Sequence, residues 1–187
     1  MRLFIAVNLS ESCRQLLQNK VNKIKKAVSE DVKWVKPQNW HLTLKFLGEV
    51  NKTKLPDIKE VIKKTGTKYE NFPVKFRGIG AFPEIGYPRV FFIKIADGQA
   101  PLININENLE MQLKPLGFEA ENREYIPHLT VARSKDETNL KNFSQSIKKF
   151  NERYFINVYM EVSEISLMES KLFPEGPVYE KISQVSL

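Results

Sequence analysis

The two histidines of this 187-residue chain open the same tetrapeptide pattern, His41-Leu42-Thr43-Leu44 and His128-Leu129-Thr130-Val131. With six threonines and 42% apolar residues, residue frequencies give that coincidence roughly a few chances in 10⁵. A common role explains it better than accident. Imidazole titrates near neutral pH, so one neutral and one protonated ring form a general base and a general acid. One would take a proton from an attacking oxygen while the other gives a proton to a departing oxygen. In-line displacement at phosphorus needs such a pair on opposite sides of the phosphate, and threonine hydroxyls can bond its non-bridging oxygens.

Strand geometry must supply the placement. Successive side chains alternate faces, so His41 and Thr43 project together over Leu42 and Leu44, as His128 and Thr130 do over Leu129 and Val131. Segments of alternating period surround the motifs. LFIAV (Leu3 to Val7) reads as a buried strand; Ser10-Glu11 starts a helix with Cys13, Leu16, Leu17, Val21, Ile24 and Val28 at helical spacing. His41 to Val50 is a strand, Thr53 to Lys64 a helix, and Val74 to Phe82 with Arg89 to Ile95 a strand pair joined by PEIGYP. A helix over Leu102, Ile105, Leu109 and Leu113 ends at Pro115 and Gly117, and Ile126 to Arg133 is again a strand. Leu140, Phe143, Ile147 and Phe150 predict a fourth helix, then Tyr154 to Met168 and Val178 to Val185 two last strands. The second half echoes the first, which predicts two related α+β lobes facing each other across a cleft.

Composition narrows the classes. The apolar and charged fractions (42% and 27%) exclude intrinsic disorder, and a lone Cys13 allows neither an internal disulfide nor a cysteine metal site. Two histidines without carboxylates or cysteines at ligand spacing make a poor zinc site, and GIGAF at Gly78 lacks the Lys and Ser/Thr of a phosphate-binding loop. No metal and no cofactor are expected. LFIAV is too short for a signal-peptide core or a membrane span, so a soluble cytoplasmic chain is expected. Residues 1–100 carry 19 Lys/Arg against 9 Asp/Glu, and residues 101–187 carry 10 against 13. That basic first half suits a polyanionic partner, although a lysine-rich surface reads the same way.

The paired tetrapeptides match the H-x-T-x signature of the 2H phosphoesterase superfamily. Together with RLFIAV, WHLTLKFLGEV and PHLTVAR, the chain resembles the RNA 2′,3′-cyclic phosphodiesterase branch, once called 2′-5′ RNA ligase, over essentially its whole length. The resemblance implies one domain over residues 1–187, built of two intertwined lobes. They would be α+β, related by a pseudo-two-fold axis, mainly of antiparallel sheet with helices outside and the active-site cleft between. It implies metal-independent hydrolysis of RNA 2′,3′-cyclic phosphate ends, tRNA fragments among them, to 2′-phosphomonoesters by a monomer. His41 would be the proton donor and His128 the acceptor, a direction that spacing alone leaves open. Thr43, Thr130 and Arg133 would hold the phosphate. Strict alternation puts Arg133 on the face opposite His128, so that contact requires a strand end or a bulge. Lys45 is expected on His41's face as a solvated or phosphate-steering charge, and Arg123 as a second phosphate contact or a surface ion pair. Trp40, Phe82, Phe91 and Tyr125 are the aromatics near the motif strands that could stack on bases. The rival readings are 2′-5′ ligation, which the same residues could perform in reverse, and a non-catalytic RNA-binding module.

Overall fold

Residues 1–27, 32–84, 87–134, 150, 152–155 and 157–187 are described by the computed structural model. The two motifs begin two strands, β3 (His41–Glu49) and β6 (His128–Ser134). They lie side by side, antiparallel, with Leu42 opposite Leu129. Outward from β3 come β1 (Arg2–Asn8), β8 (Glu164–Phe173) and β9 (Gly176–Ser186). Outward from β6 come β5 (Tyr87–Ile95), β4 (Phe72–Glu84) and β7 (Tyr159–Val162). The β3 half thus joins β1, which precedes the motif strand, to β8 and β9 from the end of the chain, and the β6 half joins β4 and β5, which precede it, to β7, which follows it. A short strand, β2 (Val32–Trp34), borders the far part of β6. Every pairing among the described strands is antiparallel.

Three helices carry apolar stripes for the core. In α1 (Glu11–Ala27) the stripe is Cys13, Leu17, Val21 and Ile24, with the Ser10 hydroxyl accepting the Cys13 N–H at 3.3 Å as the cap. α2 (Leu55–Gly66) buries Ile58, Val61 and Ile62, with a proline in its first turn, and α3 (Gln99–Leu113) buries Leu102, Ile105, Leu109 and Leu113. These stripes share one core with Leu42, Leu44, Leu129 and Val131, the residues that alternate with the histidines and threonines. Burying that face leaves the opposite one, with both His-x-Thr pairs, to form the site.

Among the described residues the expected order of elements is found, with two differences. The run Tyr154 to Met168 is not one strand: Tyr154 and Phe155 end a 3-10 turn (Glu152–Phe155), and Ser163 separates β7, which pairs with β4, from β8, which pairs with β1. The chain crosses there from one half of the sheet to the other, which an apolar run alone cannot reveal. β2 is an addition, three residues long and too short for a periodic signal. The helix expected over 140–150 lies outside the described residues apart from Phe150.

Candidate active site

The register through Leu42–Leu129 sets His41 across from Thr130 and Thr43 across from His128. The histidines are therefore diagonal neighbours on one face, roughly 7–8 Å apart by strand geometry, which leaves room for one phosphate between them. Each ring is fixed in the same way. His41 Nδ1 lies 2.8 Å from the Asn39 carbonyl, and His128 Nδ1 lies 2.6 Å from the Ile126 carbonyl, both two residues upstream. A carbonyl can only accept, so Nδ1 carries the proton and Nε2 is left for chemistry.

Arg133 joins them because of a bulge. Phe91 pairs with Ala132 and Phe92 with Thr130, so Val131 is an extra residue in β6. Val131 and Ala132 are both buried, and Arg133 returns to the face of His128, where it is exposed. Its positive charge acts on both imidazoles and on Tyr179. β3 carries the same device, since Ile5 pairs with Lys45 and Ala6 with Thr43, leaving Leu44 extra. That bulge overturns the expectation for Lys45. The side chain points into the core, 2% exposed, with Nζ 2.8 Å from Glu110 Oε1 and donating to the Glu119 carbonyl at 2.7 Å. Phe46 takes the position in β3 that Arg133 takes in β6, and it is 58% exposed.

Aromatic rings flank each histidine. Phe4 and Tyr179 lie 4.7 and 5.2 Å from the His41 ring, while Phe82 and Phe92 each lie 5.0 Å from that of His128. Gly80 makes room for Phe92, because a Cβ there would come within 2.4 Å of the ring. Of the aromatics singled out in the sequence, Phe82 touches a histidine ring. Trp40 and Phe91 are buried, and the Tyr125 hydroxyl donates to the Thr43 carbonyl at 2.9 Å. Phe4, Phe92 and Tyr179 were not legible as site residues, since apolar alternation marks core positions equally well. Arg123 is exposed in the segment before β6, and no contact among the described residues ties it to the site.

Burial in these aromatic surroundings disfavours the imidazolium. Desolvation, opposed by the Asn39 bond and assisted by the charges of His128 and Arg133, lowers the His41 pKa to about 4. His128 is lowered by desolvation too, with the Ile126 carbonyl acting against it and Arg133 with it. Both rings rest neutral at pH 7. An anion between them would offset the desolvation and draw a proton onto one. No group of three His, Cys, Asp or Glu that could hold a metal ion is found among the described residues, and no described helix is long and apolar enough to cross a membrane.

A duplicated strand pair presenting two imidazoles, two hydroxyls and a guanidinium on one face defines a phosphoester-handling class of protein. The LigT like Phosphoesterase family matches twice in succession, over residues 7–92 and 93–179, each copy containing one motif. The chain belongs to this 2H phosphoesterase family of enzymes. It is 36% identical over 181 residues to the RNA 2′,3′-cyclic phosphodiesterase of Methanothermobacter thermautotrophicus, covering 95% of this chain and 94% of that one. It is also 36% identical over 184 residues to the enzyme of the same name from Archaeoglobus fulgidus, covering 97% and 98%. The crystal structure of TT0787 from Thermus thermophilus superposes with a TM-score of 0.81 at 29% identity, covering 100% of this chain and 98% of that one.

Proposed function

We propose that the protein hydrolyses RNA ends bearing a 2′,3′-cyclic phosphate to 2′-phosphomonoesters, without a metal, by acid–base catalysis between His128 and His41. The observation that carries this reading is the diagonal placement of two imidazoles whose Nδ1 atoms are both engaged by backbone carbonyls. His128 Nε2 takes a proton from water as its oxygen attacks phosphorus. The bond from phosphorus to the 3′-oxygen breaks, and His41 gives that oxygen its proton. Thr43 and Thr130 donate to the non-bridging oxygens, and Arg133 supplies a planar fork of donors. The direction follows the family pattern, since the Arg133 charge acts on both imidazoles and does not distinguish them. His41 takes up the proton that the bound anion attracts. The names of the relatives support RNA as the substrate. Ends left on cleaved tRNA have the required chemistry, and a monomer suffices because both motifs lie on one chain.

The test offers the purified protein a panel of 2′,3′- and 3′,5′-cyclic nucleotides and cyclic-phosphate RNA ends in EDTA, and asks which oxygen keeps the phosphate. Hydrolysis of the 2′,3′-cyclic ends to 2′-phosphates is expected. A 3′-phosphate product would reverse the geometry, and a requirement for a divalent ion would contradict the mechanism. Joining of a cyclic end to a 5′-hydroxyl strand in the same mixture would show the reverse reaction.

A further inference from the structure

β3 and β6 meet at Leu42–Leu129 and then separate, so the motif carbonyls beyond that point need other donors. For β6 those donors are backbone: the Val35 N–H reaches the Val131 carbonyl at 2.9 Å, and β2 pairs with Ala132 to Ser134. For β3 they are side chains from the second half of the chain. The Tyr125 hydroxyl donates to the Thr43 carbonyl at 2.9 Å, and Asn106 Nδ2 donates to the Leu44 carbonyl at 2.7 Å. Tyr125 immediately precedes Ile126, whose carbonyl accepts the Nδ1 proton of His128. Two consecutive residues therefore connect the peptide of one motif to the catalytic ring of the other.

We propose that Tyr125 is a positioning residue: its hydroxyl, held on the Thr43 carbonyl, fixes the Ile126 carbonyl and through it the setting of His128 against the first motif. The His41 ring is held by a separate route. Asn39, whose carbonyl accepts from His41 Nδ1, donates its own side-chain amide to the Pro177 carbonyl at 2.7 Å, which ties it to β9 rather than to the other motif. The two imidazoles thus have independent anchors, and loosening one leaves the other in place. Tyr125 spends its only polar side-chain atom inside the protein, which assigns it to positioning rather than to base stacking. The assignment deepens the two-histidine reading and rests on it for its consequence in turnover.

The chain contains only two histidines, so ¹⁵N-histidine labelling gives two imidazoles to follow by NMR, assigned with a His41→Gln variant. Tyr125→Phe removes one oxygen and keeps the ring. It is expected to lower the His128 pKa, because the carbonyl that favours its cation is released, while His41 titrates as before. The other groups facing His128 are Arg133 on its own strand, Lys94 from β5, Thr43 and His41 from β3, and the Phe82 and Phe92 rings; of these only Thr43 loses a partner, the donor to its backbone carbonyl. kcat on a 2′,3′-cyclic phosphate is expected to fall by about tenfold to a hundredfold, with KM within about twofold. Asn39→Ala is expected to give the complementary result, moving His41 and sparing His128. An unchanged His128 titration in Tyr125→Phe, whether or not turnover falls, would overturn the assignment. So would a joint shift of both rings with a lower melting temperature. The NMR reading needs no turnover, so absence of activity in the wild-type protein would count against the proposed function alone.

Discussion

Phe46 and Arg133 occupy the same place in two related strands, three residues beyond the threonine of each motif and just past a bulge. The pseudo-two-fold site is therefore symmetric in its histidines and threonines but has its cation on one side. Burial lowers both imidazole pKa values and the Arg133 charge lowers them further, so Arg133→Met should raise both in part while weakening the hold on substrate. Losing charge-assisted hydrogen bonds of about 1.5–3 kcal/mol predicts a kcat/KM loss of about tenfold to a hundredfold. Arg133→Lys should recover the pKa effect but only part of the binding, for want of the planar fork. Imidazole titration with steady-state kinetics checks both, and unchanged histidines in Arg133→Met would place the guanidinium elsewhere.

Lys45 has a structural part and no place at the substrate. Its ammonium is sealed against Glu110 on α3 and the Glu119 carbonyl. Lys45→Met leaves the Glu110 carboxylate without its cation and should cost about 3 kcal/mol. Replacing both, with Glu110→Leu, should recover most of that loss, since two apolar side chains leave no stranded charge. Urea unfolding at pH 7 measures each variant. A single variant as stable as the wild type would show that the pair is dispensable.

The neutral resting state of His41 makes stability depend on pH in a definite direction. The unfolded chain takes up its proton near pH 6.5, the folded one only near pH 4, so the folded state is favoured in full above pH 6.5. That contribution fades as pH falls and is gone below about 4. Between pH 6.5 and 5 the wild-type protein should lose about 2 kcal/mol more than His41→Gln. Denaturant melts at the two pH values provide the comparison. Parallel losses in both proteins would mean that His41 is not held neutral by its surroundings.

What was legible in the sequence was whatever alternation controls. The two His-x-Thr pairs, their buried apolar neighbours and the helical stripes of α1, α2 and α3 follow from period and burial, although Leu16, expected in the α1 stripe, is exposed and Val28 lies outside the described residues. What escaped was set by events that interrupt the period. One inserted residue in β3 turned Lys45 inward and Phe46 outward, and one in β6 turned Arg133 toward the histidines. Val131-Ala132 hints at the second bulge by giving two apolar residues in a row, whereas Leu44-Lys45 gives no such hint. The crossing at Ser163 and the rings of Phe4, Phe92 and Tyr179 depend on contacts between distant segments, which local patterns do not encode.

In the proposed mechanism one phosphorus atom is worked on from two sides by rings 87 positions apart in the chain, His41 and His128. The most direct test follows a short RNA ending in a 2′,3′-cyclic phosphate through single-turnover hydrolysis in EDTA, with the wild-type protein and with folded His41→Ala and His128→Ala. The wild type should release the 2′-phosphomonoester, and each variant should be slower by at least about a hundredfold. A near-normal rate from either variant would contradict the two-histidine mechanism.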